Sequence, residues 1–424
     1  MKVETLDNGL TAIAMSVPGT EYLTLHVDVG FGTYQESQLV GYDVRDIGGS
    51  NHFIEHLIFG KNKKLSSKEI SELDRLCEEV NAEEGVINTD YWADLFQPKH
   101  LDHVLETLAN CLFGAQLRRE EVEVERDTIA SEIWISHDNV ADMDENSSLK
   151  DRATELRFKH HPLRLSVLGT ESSVRSISRK DLFDLYKSHY VPNNTIMCLA
   201  GAIDEGDAIE AIGKRFGRYK ARVLPELAPV HAEPKMRGPI ESFQPRDLAQ
   251  NYMLMLFRTT RQTHRDRYTI KVIDDILDGG TYGRLFRAIR SEHGLSYSPQ
   301  VNQGYTHDEG YLRINSQAPP GMKWVNKVRD IVLGEMRKLA TKPVTAGELR
   351  KAKDTISLSH NRDLTEDMET VTGDLCAMHR IGKLNEFVRY PDMINRVTAA
   401  DVQRVTRKYL HDKPYVLVAA GPKN

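Results

Sequence analysis

The chain is poor in cysteine, in long apolar runs and in clustered positive charge. Its four cysteines, Cys77, Cys111, Cys198 and Cys376, are scattered over 424 residues, and no two form a C-x-x-C pair. Neither a disulfide framework nor a thiolate zinc site is therefore expected. Cys198, within Ile196-Met197-Cys198-Leu199, reads as a buried thiol. No stretch approaches the roughly 18 consecutive apolar residues of a membrane-spanning helix. The opening Met1-Lys2-Val3-Glu4-Thr5-Leu6-Asp7-Asn8-Gly9 lacks the apolar centre of a secretory signal. A cytoplasmic protein with no membrane association is the expectation. Lysine and arginine total 56 against 62 acids, a net charge of −6, with no basic tail or stripe. Nucleic acid is not an expected partner. What remains is an ordinary soluble composition, 40% hydrophobic and 28% charged, long enough for two to four domains and a large core.

Against that background one short stretch carries chemistry. Residues 51–57 read Asn51-His52-Phe53-Ile54-Glu55-His56-Leu57, an H-x-x-E-H pattern. On an α-helix His52 and His56 stand roughly 40° apart, one turn above the other, and Glu55 lies roughly 60° from His52. Two imidazoles so placed can hold one metal ion, and the carboxylate beside them can reach a water on it. The order is the inverse of H-E-x-x-H and is itself a zinc-peptidase signature. Five residues with three fixed positions also recur by chance, so the rest of the chain must supply a helix and a third ligand.

Asn8-Gly9 reads as a turn into a strand at Leu10–Ser16, and Tyr22–Gly30 alternates as a half-buried strand. The irregular stretch Phe31–Ser50 leads to the motif helix, with Ser50 or Asn51 as its cap. A helix starting at Ser66 is expected to run to about Val80, followed by a strand over Gly85–Gln97. Helices over Leu101–Phe113 and Glu120–Ser136 follow. Residues 221–240, with Pro225, Pro229, Pro234 and Pro239, read as a linker. Past it the order of elements repeats. Asp181-Leu182-Phe183 leads through Tyr190 and Pro192 to a strand ending at Gly201. Asp401-Val402-Gln403 leads through Tyr409 and Pro414 to a strand ending at Gly421. An internal duplication is the simplest account, with an N-terminal domain over 1–220 that carries the motif and a C-terminal copy over 241–424 that lacks it.

The acid-rich helix near residue 125 offers several third ligands. Glu125 and Glu132 share a face two turns apart, with Ile129 between them. An acid beside an apolar seam is unusual on a plain surface helix. Acid-rich runs are nevertheless commonly solvated faces, and periodicity does not choose among Glu121, Glu125 and Glu132.

Taken in order, these landmarks resemble the pitrilysin-like inverzincin (M16) zinc metallopeptidases. Asn8-Gly9-Leu10 matches the family's opening, and His52-Phe53-Ile54-Glu55-His56 with Phe59-Gly60 its zinc helix. Asn81-Ala82 matches the start of its substrate strand, and Glu125-Arg126 through Glu132-Ile133 its third-ligand helix. His161-Pro162 to Gly169-Thr170 and Tyr190-Val191-Pro192-Asn193-Asn194 resemble its first-domain landmarks. Arg284-Leu285-Phe286 to Arg290, with Gly294-Leu295-Ser296-Tyr297-Ser298, resembles its second-domain signature. The chain departs from the pattern in a longer loop over Gln35–Ser50 and an extra residue near Gly85.

The resemblance implies an α+β fold of two homologous domains. Each would be a mixed, mostly antiparallel sheet packed with helices, the LuxS/pitrilysin-like metallohydrolase fold. It implies one Zn2+ per chain on His52, His56 and Glu132, Glu55 as general base on a zinc-bound water, and Glu125 as a carboxylate supporting the ligands. Arg290 and Tyr297 would hold the substrate and stabilise the oxyanion, and Asn81 and Ala82 would pair with an extended peptide. Taken alone, Arg290 reads as a surface charge and Tyr297 as a core residue. With only one pair of domains, a closed chamber needs a second subunit. A homodimer is expected because both the zinc motif and the Arg/Tyr pair are present, a heterodimer with a related chain being the alternative. The expected activity is endopeptidase action on peptides or short unfolded segments. The competing reading is a non-catalytic or heteropair-dependent subunit of a processing-peptidase-like complex.

Overall fold

The computed structural model describes residues 1–140, 148–297 and 299–422; Ser298, at the end of the second-domain signature, lies outside them. The first half runs β1 (Lys2–Thr5), β2 (Thr11–Ser16), β3 (Leu23–Val29), α1 (Ser50–Ile58), α2 (Ser67–Leu76), β4 (Cys77–Glu84) and β5 (Thr89–Leu95). It continues through α3 (Leu101–Gly114), α4 (Arg119–Asp138), α5 (Ser148–Arg157), α6 (Arg179–His189), β6 (Thr195–Gly201) and α7 (Glu205–Phe216). The second half runs β7 (Ile240–Pro245), β8 (Asn251–Arg258), α8 (Asp266–Asp278), β9 (Gln300–Tyr305) and β10 (Gly310–Ala318). Then come α9 (Met322–Thr341), α10 (Ala346–Glu366), α11 (Met368–Arg380), α12 (Ala399–Tyr409) and β11 (Tyr415–Gly421).

Two expected boundaries move. Helix α2 begins at the Ser66–Glu69 capping box as predicted but stops at Leu76, not near Val80. From Cys77 the backbone is extended and pairs with β5, so ladder hydrogen bonds outweigh the helical preference of Glu78 and Glu79. The expected strand over Gly85–Gln97 shortens to Thr89–Leu95. Its first residues form the hairpin turn, closed by the Gly85 N–H donating to the Asn88 carbonyl at 2.8 Å.

The chain forms two compact units, each from three segments. One comprises residues 1–135, 165–230 and 361–387; the other comprises 136–164, 231–360 and 388–424.

The sheet of the first unit has the order β1-β2-β6-β3-β5-β4, with only β2 and β6 parallel. Alternate residues on its strands serve two cores. Ala12, Ala14, Met197 and Leu199 join the larger core with Phe53, Leu105, Val122, Leu182 and Phe216. Ile13, Ile196 and Cys198 face the other way, onto Val371, Leu375 and Cys376 of α11. Each large apolar side chain buried this way contributes about 1.5–3 kcal/mol. Because α11 covers that second face, every residue of β3 is buried, where a half-buried strand was expected.

The sheet of the second unit has the order β7-β11-β8-β10-β9, with only β7 and β11 parallel. It repeats β2-β6-β3-β5-β4 strand for strand and direction for direction. Its core joins Met255, Phe257, Leu312 and Leu417 to Ile273, Val328, Val332 and Val405 of α8, α9 and α12. The fold is α+β with two like sheets, as the resemblance implied. Among the described residues no helix is long and apolar enough to cross a membrane.

Candidate metal centre

Helix α1 starts in a confined place. Its N-cap is Gly49, with φ of 86°, and a Cβ there would lie 2.6 Å from the Leu168 carbonyl oxygen. Ser50 and Asn51, the expected caps, are instead its first helical residues. The cap is supplied from elsewhere, by the buried carboxylate of Glu36. It accepts from the Gly49 N–H at 3.1 Å, the Ser50 hydroxyl at 2.7 Å and the Asn51 N–H at 2.5 Å. A carboxylate here satisfies orphan donors and meets the positive end of the helix dipole. Burial pushes its pKa up to about 7, against the pull of those hydrogen bonds.

Phe53, Ile54, Leu57 and Ile58 are buried in the core and fix the rotation of α1. That rotation turns His52 and His56 together, with their Nε2 atoms 3.0 Å apart. On α4, Val122 and Ile129 are the buried seam, and Glu125 and Glu132 flank Ile129 as the spacing required. Arg126 ties this helix in place. Its guanidinium donates to the carbonyls of Val174 and Ile177 and lies 5.3 Å from the Phe53 ring centre.

Glu132 Oε2 lies 3.3 Å from His52 Nε2 and 3.5 Å from His56 Nε2. The three donor atoms thus form a triangle with edges of 3.0, 3.3 and 3.5 Å. Tetrahedral zinc bound by nitrogen and oxygen at roughly 2.0–2.1 Å places its donors roughly 3.3 Å apart, so the triangle fits it. Glu125 is not part of the triangle. Its Oε2 meets His56 Nδ1 at 3.0 Å, which leaves the Nε2 lone pair directed at the other two donors. Glu121 is occupied elsewhere, accepting the Lys61 N–H at 3.1 Å.

A second trio shares His52. Ligand atoms of His52, Glu55 and Glu84 also lie within 4.8 Å of one another. Glu84 closes β4 and was not singled out in the sequence, nor was Glu36. For Glu84 the available signal was its alternation with Ala82 on one side of an edge strand; for Glu36 there was none.

The electrostatics follow from crowding acids and imidazoles under partial burial. Burial pushes the Glu55 carboxyl up to about 7, while His56 and His52 oppose it and Glu84 and Glu132 reinforce it. Burial acts against the His56 cation, yet Glu132, Glu55 and Glu125 outweigh it and hold the pKa at about 9. Hydrogen bonds to both histidines keep Glu132 well below the usual carboxylate range. A site that favours positive charge this strongly suits a divalent cation on neutral imidazoles.

Asn81 and Ala82 lie within β4, which begins at Cys77 rather than at Asn81. Among the described residues this strand is an edge of its sheet, paired with β5 alone, with Asn81 opposite Trp92 and Ala82 opposite Tyr91. The Ala82 N–H donates to the Asn81 side-chain oxygen at 2.9 Å. In the second unit, Arg290 and Tyr297 are brought together. The Arg290 guanidinium lies 4.0 Å from the Tyr297 ring centre and donates to the Tyr297 carbonyl at 3.3 Å. Tyr297 is 73% exposed, so it is not a core residue. Arg290 belongs to a π-helical turn, Phe286–Ser291, a geometry common at functional sites.

Two family models match this chain. Residues 18–171 match the model described as Insulinase (Peptidase family M16), and residues 176–356 match Peptidase M16 inactive domain. The chain belongs to peptidase family M16. M16 relatives match it end to end. An uncharacterized zinc protease of Mycobacterium leprae is 26% identical over 420 residues, covering 99% of this chain and 91% of the relative. The beta subunit of the mouse mitochondrial-processing peptidase is 23% identical over 446 residues, covering 99% and 84%. The fold is that of a solved protease from Helicobacter pylori, with a TM-score of 0.90 at 20% identity and 99% of both chains covered. An M16-like peptidase from Alicyclobacillus acidocaldarius follows with a TM-score of 0.85 at 17% identity, covering 100% and 98%.

Proposed function

We propose that this M16 member is a zinc-dependent endopeptidase acting on peptides or short unfolded protein segments. The observation that carries the reading is the triangle of His52, His56 and Glu132 with Glu55 beside it. Those three residues would hold one Zn2+, and names of relatives as zinc proteases support the choice of metal. Bound there, zinc supplies Lewis-acid activation of a water and of the scissile carbonyl.

The residues of the chain do the remaining work. Glu55, with Oε2 3.9 Å from His56 Nε2, takes the proton of the attacking water and delivers it to the leaving amine. Glu125 orients His56 through Nδ1. Asn81 and Ala82 offer an extended peptide the free edge of β4. Arg290 and Tyr297 present a guanidinium and a phenol as donors to a substrate carbonyl or its oxyanion.

The reading includes a homodimer that closes a chamber around the substrate. A heteropair is the second reading, favoured by the relative named as a beta subunit. Light scattering of the purified chain that finds only monomer at working concentration would exclude the homodimer.

The deciding experiment is zinc analysis with digestion of a mixed peptide pool by wild type and Glu55→Gln. Zinc is expected in both, and cleavage only in wild type, with a loss of at least about 10²–10⁴-fold in the variant. A zinc-loaded wild type that cuts nothing the variant spares would sink the peptidase reading. Tyr297→Phe is expected to keep zinc and lose kcat/KM.

A further inference from the structure

The second unit contains a cavity that takes no part in the metal centre. It has a volume of about 390 Å³ and lies around the end of α5, against residues 234–240. Arg152, Arg157, Lys159, Arg164 and Lys235 line it, with Glu155 as the one acid among the described residues. Glu155 is already paired with Arg152 at 2.5 Å. Lys159, Arg164 and Lys235 have no ion-pair partner among the described residues.

Arg157 is the decisive residue. It is only 6% exposed, yet its Nε and Nη1 have no acceptor among the described residues. The acids near it are committed elsewhere. Glu309 is bound in two bonds by Arg258, whose own charge adds to the positive field at Arg157. The Glu233 carboxylate accepts the backbone N–H groups of Lys159, His160 and His161 at 2.8, 2.5 and 2.6 Å. A guanidinium cannot shed its charge, and sealed donors without acceptors are costly. An acceptor reaching this guanidinium from the cavity that Arg157 lines would supply the missing partner.

The rest of the wall is apolar: Leu156, Phe158, Pro234, Met236 and Ile240. We propose that this cavity binds an organic anion, a carboxylate or phosphate group on an apolar body, with the anionic end on Arg157. The planar guanidinium matches two oxygens of either group, and the exposed Lys159, Arg164 and Lys235 draw the anion in. The apolar body packs against Phe158 and Met236. This site is independent of the peptidase reading.

The test is calorimetric titration of the full-length protein with benzoate, phenyl phosphate and the neutral benzamide. One or both anions are expected to bind one per chain, and benzamide to bind far more weakly. The tighter of the two anions names the class. Arg157→Met is expected to lose about 10–100-fold in affinity, the worth of a charge-assisted bond pair. Should Arg157→Met not fold, Lys235→Glu decides, with a several-fold loss that shrinks in high salt. Absence of anion binding by wild type, or binding unchanged in Arg157→Met or in Lys235→Glu, would overturn the proposal.

Discussion

Glu125 Oε2 lies 3.0 Å from His56 Nδ1, across the ring from the nitrogen that meets His52 and Glu132. The two acids of α4 therefore stand in different relations to one imidazole. Glu132 is placed to bind the metal and Glu125 to orient a ligand. Glu125→Gln is expected to weaken zinc binding about 10–100-fold while leaving a measurable site. Glu132→Gln removes a donor and is expected to empty it. Zinc competition against a chromophoric chelator ranks the two, and the reverse order would exchange their roles.

Glu84 gives a separate check on the choice of trio. Should His52, His56 and Glu132 be the donors, Glu84→Gln will disturb zinc affinity less than Glu125→Gln does. Its effect falls on Glu55, whose carboxyl the Glu84 charge holds up. Without that like charge the acid limb of the pH–rate profile moves to lower pH. Zinc loss as complete as in Glu132→Gln would instead place the metal on His52, Glu55 and Glu84.

The parts legible in the sequence were those with a local period. The i, i+4 histidines, the seam at Ile129 and the turn at Asn8-Gly9 are short-range patterns, and each lies on the expected element. The repeated order of strands was readable because both copies keep the Tyr–Pro–strand–Gly closing unit. What stayed hidden was long-range. Glu36 caps α1 from 13 to 15 residues upstream, through a buried carboxylate that no capping pattern announces. Strand β3 carries His26 and Asp28 on one face, which reads as solvent-facing. It is buried because α11, over 300 residues later, covers it with a matching cation. Likewise α5 packs on β8 and β11 of the second unit, though it precedes the Pro-rich stretch in sequence.

That matching cation is Arg380, and its pairing with Asp28 is open to test. Asp28 is 1% exposed, and burial pushes its carboxyl up to about 6 even with Arg380 opposing. Asn88 Nδ2 donates to it at 3.2 Å. Arg380→Met leaves a buried acid without its cation and is expected to cost about 3–5 kcal/mol. Asp28→Asn combined with Arg380→Met removes both charges and is expected to recover much of that loss. Urea denaturation of the two single variants and the double variant measures the coupling. Additive losses would mean the pair does not hold α11 to β3.

His189 sets an acid-side limit on the first unit. Its ring is 3% exposed, stacks on Phe31 at 4.0 Å and meets the Leu185 carbonyl through Nδ1 at 2.9 Å. Burial lowers its pKa to about 4, with the Leu185 bond opposing. The unfolded chain, with an ordinary imidazole, therefore binds more protons than the folded one between about pH 6.5 and pH 4. Stability from this residue is complete above that window and is lost as pH falls through it, by roughly 3 kcal/mol at most. His189→Gln keeps a donor for Leu185 and removes the titration. The variant is expected to be less stable than wild type near pH 7, where the stack on Phe31 is lost. It should lose less on acidification, so the two urea midpoints converge toward about pH 4.5. Parallel midpoints across that range would show that the imidazole already takes up its proton in the folded state, in spite of its burial.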